Sequence, residues 1–134
     1  MKLLITGSRS IAENEVNYRR LADEIHSKYP KVSLLLHGGA RGADQLAERY
    51  GREMGIRVQV IRPDYGLYPE KVAPLVRNTE LVQQAEAVIA FYGPKGKAGG
   101  TADTVKKALA RNLPVTELYL DGRCRHTPTN LRLF

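Results

Sequence analysis

Val32-Ser33-Leu34-Leu35-Leu36-His37-Gly38-Gly39-Ala40-Arg41-Gly42-Ala43-Asp44, residues 32–44, is the stretch whose reading decides the fold. A β-branched and leucine run closes on a glycine turn. The turn leads into a helical pattern over 43–54, with Leu46, Ala47 and Tyr50 on one face and Gly55 as its stop. The apolar run does not alternate with polar residues. Such a strand is covered on both faces, as strands of a parallel sheet are. Strand, glycine turn and helix is therefore the unit to seek elsewhere in the chain.

Working outward, the same unit recurs. Toward the N-terminus, 2–6 reads as a strand ending at Gly7, and 12–29 as a helix with Val16, Leu21, Ile25 and Tyr29 near helical spacing and Pro30 as its stop. Toward the C-terminus, 56–61 reads as a strand ending before Pro63. A helix is predicted over 69–85, with Pro74 inside it demanding a break or a late start. Strands at 87–91 and 115–120 flank a helix at 101–112. Residues 121–134 read as an irregular polar tail with turns at Asp121-Gly122 and Thr127-Pro128. The alternation predicts one α/β domain over 1–120, a doubly wound, mostly parallel, Rossmann-like sheet with helices on both faces. Ligands of such sheets bind outside the carboxyl ends of the strands, at the switch point.

Composition sets the outer limits. A chain of 134 residues fits one domain that buries a core without staples. Cys124 is the single cysteine, so no internal disulfide forms, the usage expected of a reduced, cytoplasmic protein. The apolar part of Met1–Gly7 is too short for a secretory signal, and no stretch approaches the roughly 20 apolar residues of a membrane span. The net charge of +7 favours anionic partners: nucleotide phosphates, nucleic acid or acidic lipid. The basic residues are spread along the chain; the densest run is Arg123, Arg125 and Arg132 in the tail.

Three predicted strand ends are glycine-rich: Thr6-Gly7-Ser8-Arg9-Ser10, His37–Asp44, and Gly93-Pro94-Lys95-Gly96-Lys97-Ala98-Gly99-Gly100-Thr101. Glycines let backbone N–H groups approach a phosphate, and a following helix N-terminus adds partial positive charge. Any tight turn favours glycine, but three such turns at one edge, carrying Arg9, Arg41, Lys95 and Lys97, point to an anion site. Neither G-x-G-x-x-G nor the P-loop spacing is present, which disfavours a standard nicotinamide dehydrogenase and a P-loop ATPase. Asp44 is either a first-turn acid complementing its helix or a carboxylate gripping ribose hydroxyls. Thr101 is a helix cap, a phosphate donor, or both. On spacing alone Arg77-Asn78 is a solvated pair, and His37 a hydrogen-bonded structural residue. Ser8 shows no histidine–acid partner, and the cysteine, histidine and carboxylate pattern supports no metal site and no required cofactor. Tyr65, Tyr68 and Tyr92 flank the edge, either to stack a base or as surface residues.

These motifs, in the order Thr6-Gly7-Ser8-Arg9, His37–Asp44, Arg77-Asn78, Gly99-Gly100-Thr101, resemble the YspA-like (YpsA-related) branch of the SLOG superfamily of DprA-like and LOG-like Rossmannoid domains. The resemblance spans about residues 1–118, and its H-G-G-A-R-G-A-D string is its most specific part. It implies a nucleotide-derived ligand across the first, second and fourth strand ends, with Gly7, Ser8, Arg9, Gly38, Gly39, Arg41, Gly42, Asp44, Arg77, Asn78, Gly99, Gly100 and Thr101 as binding residues. LOG proteins hydrolyse nucleoside monophosphates with a P-G-G-x-G-T-x-x-E loop. Here Thr104 stands where that glutamate belongs, and Asp103 beside it points elsewhere on a helix. Asp44 and Glu80 remain as candidate catalytic carboxylates.

Three readings follow. One is a domain that senses or processes a phosphate-bearing nucleotide derivative, with no cofactor beyond that ligand. A second is a nucleotide N-glycosidase using the same pocket. The third is a DprA-like binder of single-stranded nucleic acid, ranked last because no basic stripe interleaved with aromatics marks a strand path. LOG-like relatives form dimers, and the apolar residues of the third helix offer a homodimer face.

Overall fold

A computed structural model of the protein describes residues 1–129, so Arg132 of the basic tail lies outside the described residues. The chain runs β1 (Lys2–Gly7), α1 (Glu15–Lys28), β2 (Leu34–His37), α2 (Ala43–Met54), β3 (Arg57–Val60), α3 (Ala73–Gln84), β4 (Ala87–Phe91), α4 (Gly99–Ala110), β5 (Val115–Leu118) and β6 (Cys124–Thr127). The strands form one sheet in the order β3-β2-β1-β4-β5-β6. All neighbours are parallel except β5 and β6, which run antiparallel. The sheet is the expected doubly wound, Rossmann-like α/β architecture.

Alternation along the central strands divides the core. Leu3, Ile5, Ile89 and Phe91 face α1 and α2, meeting Tyr18, Leu21, Ile25, Leu46 and Tyr50. Leu4, Val88 and Ala90 face α3 and α4, meeting Leu81, Val82, Val105 and Ala108. Both faces of β1 and β4 are thereby excluded from water, which accounts for their uninterrupted apolar runs. The expected late start of the third helix is realised. It begins at Ala73, with Pro74 in the first turn, where a missing N–H costs no helical hydrogen bond. Asn14 caps α1, its side chain accepting the Asn17 N–H at 2.9 Å.

The tail departs from the sequence reading. Residues 124–127 form β6 and extend the sheet, with Thr116 Oγ1 and His126 Nδ1 2.9 Å apart across the pair. A Tyr119–Arg123 turn carries the chain back: the Tyr119 N–H donates to the Arg123 carbonyl and the Gly122 N–H to the Tyr119 carbonyl. Polar residues suit this edge strand because three of its four positions are exposed. An exposed edge lacks the apolar run by which a buried strand is recognised.

Strand order reverses between β1 and β4, since β2 and β3 extend one way and β5 the other. The carboxyl ends of these two strands mark the crevice where open α/β sheets place their ligands.

Candidate ligand-binding site

The crevice is a cavity of about 500 Å³. Gly7, Ser8, Arg9 and Ser10 come to it from the end of β1, Ala40 and Asp44 from the β2–α2 connection, and Arg77 and Asn78 from α3. Tyr92 and Lys95 follow β4, Gly99, Gly100 and Thr101 open α4, and Pro74 and Leu75 add an apolar wall. A second cavity of about 280 Å³ adjoins it, lined by Gly38, Gly39, Arg62, Pro63 and Tyr65 and sharing Arg9, Ala40 and Arg77 with the first.

The glycine loop after β2 is organised from within. Asp44, 6% exposed, accepts the Gly38 N–H (3.1 Å) and the Ala40 N–H (3.0 Å) on one carboxylate oxygen. The Gly39 N–H donates to His37 Nδ1 at 3.0 Å and the Gly42 N–H to Glu13 Oε2 at 3.2 Å. Four N–H groups that a phosphate would use are thus already satisfied. Gly42 has φ +76°, and a Cβ there would collide with the Ser8 carbonyl oxygen, so only glycine fits. With Gly42 pressed on the Ser8–Arg9 backbone, Arg41 is left on the outside, exposed and lining neither cavity.

The first turn of α4 is organised in the opposite way. Its N-cap, Ala98, makes no side-chain capping bond, and among the described residues the N–H groups of Gly99, Gly100 and Thr101 have no protein partner. The residues bearing these three uncommitted N–H groups, at the positive end of the helix dipole, line the crevice. Thr101 is 7% exposed beside them.

Arg77 and Asn78 join the two halves of the site. Arg77 Nη1 donates to the Gly38 carbonyl at 2.9 Å, and its Nε to Asn78 Oδ1 at 2.9 Å. Asn78 Nδ2 donates to Asp103 Oδ2 at 3.1 Å and to the Gly100 carbonyl at 3.4 Å; Lys107 pairs with the same Asp103 oxygen at 2.9 Å. Asp103 is thus spent on positioning Asn78 and stays outside the cavity lining. Burial raises the Asp44 pKa, opposed by the Ala40 N–H, by His37, by Arg77 and by the Gly38 N–H. Burial lowers the Arg77 pKa against the pull of Asp44, and Arg9 lowers it further.

Two of the basic residues named from the sequence serve the cavity and two do not. Arg9 and Lys95 line it; Arg41 faces out; Lys97 turns to Glu117, 3.2 Å away. Glu117 is 2% exposed and also accepts the Tyr92 hydroxyl at 2.5 Å, tethering the β4–α4 loop to β5. Glu80 is a correction to the catalytic candidates. It lies two residues, about 200° of helix, past the buried Asn78, and is exposed outside both cavities. Thr104 is buried with its hydroxyl on the Gly100 carbonyl, and Asp44 is the one carboxylate lining the crevice among the described residues. The His37 ring is buried, its Nδ1 accepting the Gly39 N–H and its Nε2 3.4 Å from Glu48. Arg62, Leu75 and Glu117 were not singled out from sequence. Arg62 follows β3 at the same sheet edge, and that position was the available signal.

The family model described as the YspA, cpYpsA-related SLOG family matches residues 1–68. The chain belongs to this family. Another similar protein is the Gene 61 protein of Mycobacterium phage D29, 36% identical over 120 residues, covering 85% of this chain and 93% of that protein. Among solved structures, the X-ray structure of TM1055 superposes with a TM-score of 0.63 at 23% identity, covering 85% of this chain and 71% of that one; it supports the SLOG chain's fold. The family match covers the Thr6–Arg9 and His37–Asp44 motifs. Arg77, Asn78 and the α4 turn lie beyond it and are brought to the SLOG motifs by the fold.

Proposed function

We propose that this SLOG domain binds a phosphate-bearing nucleotide or nucleotide derivative in the crevice between β1 and β4, with the phosphate on the first turn of α4. One observation carries the reading: the uncapped N–H groups of Gly99, Gly100 and Thr101 open on a cavity whose other polar wall holds Arg9, Lys95 and Arg77. In Gly38 to Gly42, expected from sequence to cradle the phosphate, the N–H groups of Gly38, Gly39, Ala40 and Gly42 already have acceptors within the protein, which favours the α4 turn as the phosphate seat. Leu75 and Pro74 supply an apolar surface for a base. Binding fits better than glycosidic cleavage. Cleavage needs a carboxylate facing the sugar; Thr104 stands where the LOG-type glutamate belongs, and Asp44, the one carboxylate lining the crevice among the described residues, has one oxygen committed to the loop.

The test is the melting temperature against AMP, ADP, GMP, ADP-ribose and ribose 5-phosphate, for the wild type and Arg9→Ala. A ligand at 100 times its Kd stabilises the fold by about 2.7 kcal/mol, a shift of several degrees. The expected result is a shift for at least one nucleotide that Arg9→Ala reduces. No shift with any of them sinks the reading.

A further inference from the structure

The second cavity, beside the crevice, has a one-sided chemistry. Arg9, Arg62 and Arg77 line it, no carboxylate does, and Tyr65 stands at its rim, 57% exposed. None of the three guanidinium groups forms an ion pair among the described residues. Arg62 Nη1 donates to the Gly39 carbonyl at 3.2 Å, and Arg77 Nη1 to the Gly38 carbonyl at 2.9 Å. These bonds hold the two forks against the loop; Asp44 acts on Arg77 from the side of the first cavity, and no carboxylate lines the second. Burial is the main cause lowering the Arg77 pKa, and the neighbouring Arg9 charge adds a smaller push in the same direction. Gathering like charges in this way is unfavourable in the empty protein, and an anion between them relieves it. Guanidinium groups suit phosphoryl oxygens because their planar forks donate in pairs.

The two cavities share Arg9, Ala40 and Arg77 as a common wall. The α4 turn lies in the first and Arg62 in the second. We infer that the ligand carries a second phosphoryl group, seated between Arg62, Arg77 and Arg9 while the first rests on α4. This rests on the nucleotide reading above and narrows it to nucleotides with at least two phosphoryl groups. The second group has two chemical sources, a β-phosphate following the first or a phosphate across the ribose.

Titration calorimetry with AMP, ADP and adenosine 3′,5′-bisphosphate distinguishes these sources and the two levels of the proposal. The expected result is that ADP or the bisphosphate binds the wild type at least tenfold more tightly than AMP, and that Arg62→Ala collapses this ratio toward one. A gain for ADP identifies a β-phosphate, and a gain for the bisphosphate a phosphate across the ribose. Arg62 is exposed, and its side chain makes one bond to the protein, so the variant should fold; an unchanged melting temperature without ligand checks this. AMP binding with a ratio near one in the wild type, or a ratio that Arg62→Ala leaves in place, overturns the second phosphate and keeps the nucleotide reading. Binding of none of the three overturns both.

Discussion

Replacing Asp44 tests whether one carboxylate oxygen organises the site. In Asp44→Ala the Gly38 and Ala40 N–H groups lose their acceptor at 3.1 and 3.0 Å. An orphaned buried donor costs about 1–3 kcal/mol, so the two together cost about 2–6 kcal/mol. Removing a buried carboxylate also removes its desolvation cost, which the raised Asp44 pKa reports. The net loss expected is about 2–4 kcal/mol. Asp44→Asn keeps an acceptor oxygen, so weaker bonds trade against that relief and the change near neutral pH stays within about 1 kcal/mol. Urea unfolding followed by far-UV circular dichroism measures both, since the chain has no tryptophan. The sign of the pH dependence follows from linkage. With its folded pKa raised above the ordinary 3.8, Asp44 binds more protons folded than unfolded in the window between the two values. Wild-type stability relative to Asp44→Asn therefore falls as pH rises from about 3.8 through the folded pKa, then levels off. A loss below about 1 kcal/mol in Asp44→Ala, or equal losses in both variants, refutes the organising role.

Other expectations are separate. Gly42→Ala should lower stability by more than about 2 kcal/mol, because φ +76° and the Ser8 carbonyl both oppose a Cβ; Gly55→Ala, at φ +68° with open space around it, should cost only about 1–2 kcal/mol, and urea midpoints rank the two. Glu117→Ala should cost about 1–3 kcal/mol, since it strands the buried Tyr92 hydroxyl, while the exposed Lys97 it frees is solvated; thermal unfolding reads the loss, and hydrogen exchange at Gly96 should quicken as the β4–α4 loop comes free. Arg41→Ala should leave nucleotide affinity within about twofold, because Arg41 lines neither cavity, whereas Arg9→Ala should reduce it about tenfold or more by calorimetry.

Most of the architecture was legible because buried strands and amphipathic helices write their surroundings into apolar spacing. Val88 and Ala90 face one helix layer while Ile89 and Phe91 face the other, so 87–91 could hardly be polar anywhere. Edge strand β6 carries no such constraint, and Cys124-Arg125-His126 looks like a tail until its register with β5 is seen. Helix starts moved by a few residues, to Glu15 behind its Asn14 cap and to Gly99 behind the uncapped Ala98.

The site was legible as an edge but not as a set of roles. Three glycine turns followed by helices do converge on the switch point, yet a glycine turn in sequence does not say who takes its N–H groups. In His37–Asp44 the takers are the motif's own histidine and aspartate, together with Glu13. The most specific string in the chain is therefore a self-supporting wall. Its rigidity lets Gly38 and Gly39 offer carbonyls that hold Arg77 and Arg62 in place. The plainer string Ala98-Gly99-Gly100-Thr101 has no side chain to cap it, and that lack leaves its N–H groups open to an anion. An acid inside a glycine loop consumes the donors that the glycines expose.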